Sequence, residues 1–222
     1  NEHKNSDIRF VFNTPNQSSK PGYIKMGWEE AGRLPVSFDI RRPLNLAANL
    51  MGWRASAVIA DDEDSLPALL KRAGEVCALI EDHKLRDPAS MKTALSLDYL
   101  KWRYASVPVA KYMAITEGGD ALNAFVIARV KASKAGRELR ITECVEGKNC
   151  DHERLKGLIY KKAKSLRVDS ITMSGLSKFQ GRRLTLNRGP MVTLFDLSGY
   201  ERFHELKLFK NWSPSLGDLE LF

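Results

Sequence analysis

Of 222 residues, 43% are hydrophobic and 28% charged, a globular balance for which disorder is not the default and which leaves enough chain for a sizeable core. The formal charge of +8 suits an anionic partner but does not choose one, and the basic pairs Arg41-Arg42, Lys161-Lys162 and Arg182-Arg183 are scattered. They come without an aromatic RNA motif or a zinc finger, so nucleic acid is not an expected partner. No apolar run approaches the roughly 20 residues of a membrane span, and NEHKNSD is not a signal peptide. Cys77, Cys144 and Cys150 cannot all pair within the chain, which suits a reducing compartment, and a cytoplasmic location is expected.

Ile8, Phe10 and Phe12 alternate with Arg9, Val11 and Asn13, the period of a strand. Thr14-Pro15-Asn16 ends it. A short helix is predicted next, with Ser18 and Ser19 accepting from its free N–H groups, Pro21 in its first turn and Gly27 as its left-handed stop. Glu29 to Arg41 reads as two strands about a turn at Ala31-Gly32-Arg33, the second carrying Leu34, Val36, Phe38 and Ile40. Pro43 opens a helix that ends near Gly52.

The acidic cluster Asp61 to Asp64 favours a helix start and precedes Leu66, Leu69, Leu70, Ala73, Val76, Cys77 and Ile80 at helical spacing. His83 to Ser90 reads as a polar loop and Ser96 to Tyr104 as a second helix. Tyr112 to Ile115, Ala121 to Val130 and Glu138 to Cys144 suggest an antiparallel meander. Asp151 caps an amphipathic helix to Leu166, with Leu155, Leu158, Ile159 and Ala163 inward. Strands follow at Ser170 to Met173 and Met191 to Leu197, with a basic loop from Ser177 to Pro190 between them. In the turn-rich tail, Trp212, Leu219, Leu221 and Phe222 are expected to pack back.

Asn16, Ser19, Tyr23, Gly27 and Trp28 fall at steps of three, four, four and one. This spacing resembles the N-x-x-A-x-x-x-Y-x-x-x-G-F signature of the GNAT superfamily of N-acyltransferases. The resemblance implies an α+β fold, a mixed and mostly antiparallel sheet flanked by helices in three layers. It implies that the first strand, with Phe12, Asn13, Asn16 and Ser19, runs beside the pantetheine arm of acetyl-CoA. Tyr23 would then protonate the departing thiolate. Residues 1–58 match the C-terminal half of one such domain. The strand and R-G-x-G-x-A pyrophosphate loop that precede it in the family are expected upstream of Asn1. Ile8 to Thr14 is then expected to pair with Leu34 to Ile40 on one side and to have an open or intermolecular edge on the other.

The order helix, helix, three strands, helix, strand, strand over residues 59–222, with LDYLKWRY and the tail, resembles the second copy of tandem GNAT-like proteins. Its VEGKNC junction lacks the R-G-x-G-x-A loop and its SITMSGL strand lacks equivalents of Asn16 and Tyr23, so it reads as a degenerate copy. For the acceptor side, Trp102, Arg103 and Tyr104 could stack on and hydrogen-bond a substrate. Glu29, Glu30 and Glu143 are candidate bases, Glu143 being also a substrate-side candidate. Cys144, Cys150 and His152 do not have zinc-knuckle spacing and lack a fourth ligand, so no metal is expected. The function so implied is acyl transfer from a CoA thioester to an amine of a small molecule, sugar or peptide. The alternatives are a Fem-type aminoacyltransferase using aminoacyl-tRNA and a non-catalytic binding protein on a decayed GNAT fold. An oligomer is compatible with either.

Overall fold

The computed structural model describes residues 8–52, 65–86, 91–108, 110–133, 136–174, 184–187, 189–197, 199 and 203–219. Asp61 to Asp64, Arg182-Arg183, much of the basic loop, Leu221 and Phe222 lie outside these residues. The chain begins with β1 (Phe10–Asn13), α1 (Lys20–Lys25), β2 (Glu29–Arg33), β3 (Val36–Ile40) and α2 (Pro43–Leu50). Next come α3 (Ser65–Lys71), α4 (Ala73–Arg86) and α5 (Leu97–Leu100), the last continuing as a π-turn over Lys101–Ala105. Then follow β4 (Met113–Gly118), β5 (Leu122–Ser133), β6 (Gly136–Glu146), α6 (His152–Ser165), β7 (Ser170–Ser174), β8 (Leu184–Leu186) and β9 (Met191–Asp196). The tail carries 3-10 turns at Phe203–Lys207, Phe209–Asn211 and Gly217–Leu219.

The fold is a mixed, mostly antiparallel α+β arrangement in three layers. Six strands lie in the order β4-β5-β6-β7-β3-β8, and only β6 and β7 run parallel. At the centre, β5 is buried on both faces: Ala124, Val126 and Ala128 meet Leu155, Ile159 and Ala163 of α6, while Phe125 and Ile127 meet Leu66, Leu69, Val76 and Ile80 of α3 and α4. A sheet covered on both sides needs apolar residues in succession, which is what β5 supplies. The Asp151 carboxylate accepts the Arg154 N–H at 3.0 Å, so α6 starts where the sequence puts its cap. The helix expected from Leu66 to Ile80 is broken at Arg72, whose guanidinium turns to Glu75 at 2.6–2.8 Å, and α4 runs on through His83 to Arg86 instead of giving way to a loop.

A second, three-stranded sheet has the order β1-β9-β2. The pairing expected of the first strand is corrected here. β1 pairs with β9, from Phe10 opposite Asp196 to Asn13 opposite Thr193, and β3 lies in the large sheet between β7 and β8. Polar residues explain the move. The buried side chains of β3 are Ser37 and Asp39, which find Thr185 Oγ1 of β8 at 2.7 Å and the Tyr160 hydroxyl of α6 at 2.8 Å. Beside the apolar face of Leu34, Val192 and Leu194 they would be buried without partners.

β1-β9-β2 and β7-β3-β8 thus repeat one pattern, an antiparallel triplet whose middle strand comes from the far part of the chain. The two middle strands enter at one crossing. There Leu34 N–H donates to the Pro190 carbonyl at 3.1 Å and Gly189 N–H to the Leu34 carbonyl at 3.0 Å. Pro35 and Pro190 have no N–H to extend either ladder. As expected, β1 has one unpaired edge among the described residues, and Phe12 is 43% exposed.

Candidate active site

β1 presents Val11 and Asn13 on one face and Phe10 and Phe12 on the other, since successive side chains alternate. On the first face, Tyr23 from α1 meets Trp28 edge-on at 4.9 Å between ring centroids, and Trp28 lies 5.6 Å from Phe195 of β9. All three rings are half-buried. Gly27, at φ +88°, makes the reversal that brings Trp28 back over Tyr23, a conformation that a side chain would strain. The result is an aromatic shelf at the end of β1.

Asn13 sets the chemistry of that shelf. Its Oδ1 accepts the Thr14 N–H at 2.7 Å, which leaves Nδ2 to donate to the Tyr23 hydroxyl oxygen at 2.5 Å. A phenol oxygen that accepts from an amide keeps its own hydrogen for another acceptor. Asn16 and Ser19 stand together one turn away. Asn16 Oδ1 accepts from Ser18 N–H, Ser19 N–H and Ser19 Oγ at 2.8–3.1 Å. The expected capping is therefore reversed, because the asparagine closes the turn into α1 and neither serine caps it. Phe12 points to the opposite face, where its ring meets Trp212 of the tail at 5.7 Å.

The other candidates form a separate buried group on the large sheet. Tyr104 and Ser215 hydroxyls both donate to Glu143 Oε1, at 2.5 and 2.8 Å, and Arg103 Nη2 donates to the Gly217 carbonyl at 2.6 Å. Trp102 stays outside, 67% exposed. Within that triplet the arginine and the tyrosine are buried and the tryptophan is not. The wider π-turn over Lys101–Ala105 accounts for this by rotating Arg103 and Tyr104 toward the core together. Burial first, and then the Asp218 carboxylate, push the Glu143 carboxyl up to about 8, against the opposing pull of the Tyr104 and Ser215 hydroxyls and Arg103. Burial likewise pushes Tyr104 far above the ordinary phenol range, so it is a permanent donor.

A bulge aims Glu143 at this group. Ile127 pairs with Glu143 but Ala128 with Ile141, so Thr142 is extra, and its hydroxyl donates to the Ile127 carbonyl at 2.9 Å. Leu139 and Ile141 face α6 before the bulge, and Cys144 does so after it, so Glu143 and Val145 fall on the α4 side. Strict alternation carried along the sequence gives the wrong face from residue 142 onward. Ser215, Gly217 and Asp218 were beyond sequence reasoning altogether. Only the turn-rich run S-x-G-D, Ser215 to Asp218, marked a turn there. The other candidate bases are ordinary ion pairs: Glu29 with Lys207, and Glu30 with Lys20 at 2.8 Å.

The β6–α6 junction does not fit a pyrophosphate. Gly147 N–H goes to the Asn123 carbonyl, Lys148 N–H to the Asp82 carboxylate at 2.6 Å, and Arg154 N–H to Asp151. Two carboxylates hold the amides that an anion would need, and a Cβ on Gly147 would lie 2.5 Å from Leu79 Cδ1.

No family model matches the chain, and no curated protein matches it in sequence. Among solved structures it is similar to a GCN5-related N-acetyltransferase from Anabaena variabilis, at 14% identity and a TM-score of 0.48, over 87% of this chain and 47% of that one. It is also similar to a GCN5-related N-acetyltransferase from Kribbella flavida, at 12% identity and a TM-score of 0.49, over 89% of this chain and 45% of that one. The chain spans less than half the length of either protein. At this identity neither superposition gives a residue its role.

Proposed function

We propose that this chain belongs to a GNAT-like N-acyltransferase that moves the acyl group of acetyl-CoA or a related thioester to an amine, with Tyr23 as the acid. One observation carries the reading: the signature tyrosine stands at the end of the signature strand with its oxygen accepting from Asn13, so its hydrogen remains available. The acceptor amine attacks the thioester carbonyl, the C–S bond breaks, and the CoA thiolate takes the Tyr23 proton. The phenol is restored by the proton the amine gives up. The half-buried shelf of Tyr23, Trp28 and Phe195 supports a partly dry setting for the sulfur. Residues 1–58 supply this end of a first unit. Residues 59–222 form a second that holds no cofactor phosphate at its own β6–α6 junction, and exchange of β3 and β9 fastens the two together. On the acceptor side, exposed Trp102, whose ring meets Tyr99 at 5.9 Å, offers a stacking face, with Arg103, Tyr104 and Glu143 buried behind the same turn.

The test is Tyr23→Phe in the intact protein, with release of free CoA followed by a thiol reagent. Loss of a general acid predicts a kcat lower by roughly ten- to a thousandfold at unchanged KM for the thioester. An unchanged kcat would return Tyr23 to a packing role and sink the proposal.

A further inference from the structure

Where β6 runs into α6, four side chains able to bind divalent metals lie within nine residues of chain, from Cys144 to His152. Glu146 Oε2 is 3.5 Å from His152 Nδ1, and Cys150 Sγ is 3.9 Å from the same nitrogen. The ligand atoms of Glu146, Cys150 and His152 all lie within 4.8 Å of one another. Cys144, on the same face of β6 two residues before Glu146, brings its Sγ to 3.7 Å from Glu146 Oε1. Metal–ligand bonds of about 2.0–2.3 Å at tetrahedral angles set neighbouring donors about 3.3–3.8 Å apart. The three contacts, 3.5, 3.7 and 3.9 Å, lie close to that spacing; Glu146, Cys150 and His152 form the mutually close set, and the Cys144 sulfur reaches it through the second oxygen of Glu146. The spacing Cys-x5-Cys-x-His is not that of a zinc knuckle, which is why no metal was expected; the donor that this spacing leaves out is the carboxylate of Glu146.

A second observation points the same way. Glu117 of β4 is 2% exposed, and its Oε2 has no hydrogen-bond partner among the described residues. It sits in the same cross-strand row as Glu146, with only Ala124 between them, and Arg154 at 3.8 Å is its ion-pair partner. A buried carboxylate so poorly matched is relieved by a nearby cation.

We infer that Cys144, Glu146, Cys150 and His152 form a zinc-class site that pins the start of α6 to the end of β6. Binding converts two thiols to thiolates and releases two protons, and no oxidant or reductant is needed. Two sulfurs, an imidazole and a carboxylate suit Zn²⁺ over Mg²⁺ or Ca²⁺. With all four positions filled by protein, the site is structural and has no open position for catalysis.

The test is titration of the metal-free intact protein with Co²⁺, followed by competition with Zn²⁺. The expected result is one equivalent of Co²⁺ with a thiolate-to-cobalt charge-transfer band, bleached by Zn²⁺. Cys144→Ser should roughly halve the band, and Cys150→Ser should weaken affinity at least tenfold. His152→Ala, an exposed change at a helix start, should do the same while circular dichroism stays native. Cys77→Ser should change nothing. No charge-transfer band in the folded protein, or an undiminished Co²⁺ affinity in both Cys150→Ser and His152→Ala, overturns the site.

Discussion

The decisive feature of Tyr23 is the direction of one hydrogen bond. Because Asn13 donates, Asn13→Asp should be worse than its size suggests: a carboxylate would accept the phenol hydrogen and turn it away from the leaving sulfur. We expect kcat to fall at least tenfold and Asn13→Gln or Asn13→Ser to be milder, measured as CoA release beside the melting temperature. Equal losses in all three would mean that Asn13 matters only for packing. Glu143 makes a prediction in pH. In the unfolded chain its carboxyl ionises near 4.5, whereas in the fold it keeps its proton up to about 8. The folded state therefore holds the extra proton between those values, and this group's stabilisation is full below the lower one and is lost as pH rises through the upper. The local slope approaches about 1.4 kcal/mol per pH unit. Glu143→Gln should flatten the fall in urea midpoint between about pH 5 and pH 8, and an unaltered profile would place the titration elsewhere. Legibility at this scale was uneven. Tyr23 stood out because a spacing singled it out, and Asn13 only as the end of the strand before that spacing, whereas the facing of Glu143 depended on a bulge of one residue that no alternation announces.

At the scale of elements, the meander and α6 were legible from local periodicity and a cap, with ends within two or three residues of those expected. The partner of β3 was not, because a strand's sequence records which face is buried but not which sheet buries it. Ser37 and Asp39 were the available hint, polar residues at the inward positions of a strand otherwise made of Val36, Phe38 and Ile40. The crossing that delivers β3 and β9 to their sheets depends on Gly189. A Cβ there would stand 2.4 Å from the Leu34 carbonyl oxygen and 2.9 Å from Val36 Cγ2. Backbone cannot yield as a side chain tip can, so Gly189→Ala should destabilise the protein by about 1–3 kcal/mol, the usual cost of overpacking. Gly157→Ala, with nothing within 4 Å of the new carbon, is the control and should be neutral or slightly stabilising. The comparison is read from the two urea midpoints, and a neutral Gly189→Ala would mean that the crossing is looser than the Leu34 and Gly189 hydrogen bonds imply.

For the whole molecule, the exchanged strands have a consequence that a simple bead-on-string reading of residues 1–58 and 59–222 misses. Remove the first segment and β7 loses its antiparallel neighbour, β8 loses the one strand it pairs with, and β9 loses both β1 and β2. Val192, Leu194 and Trp212 would then face water, together with long unpaired strand edges, a combination that favours aggregation. Hydrophobic burial and hydrogen bonding in each sheet are thus conditional on the other, so unfolding should be one cooperative event. We expect tryptophan fluorescence, weighted toward the small sheet by Trp28 and Trp212, to report the same urea midpoint as far-ultraviolet circular dichroism, which is dominated by the larger unit. Residues 59–222 produced alone should be insoluble or molten, and co-production with residues 1–58 should restore a soluble, native complex, since β1, β2 and β3 would again pair with β7, β8 and β9. Two separated transitions, or a native spectrum from residues 59–222 alone, would show that β3 is dispensable to the large sheet and that the exchange adds little to its stability.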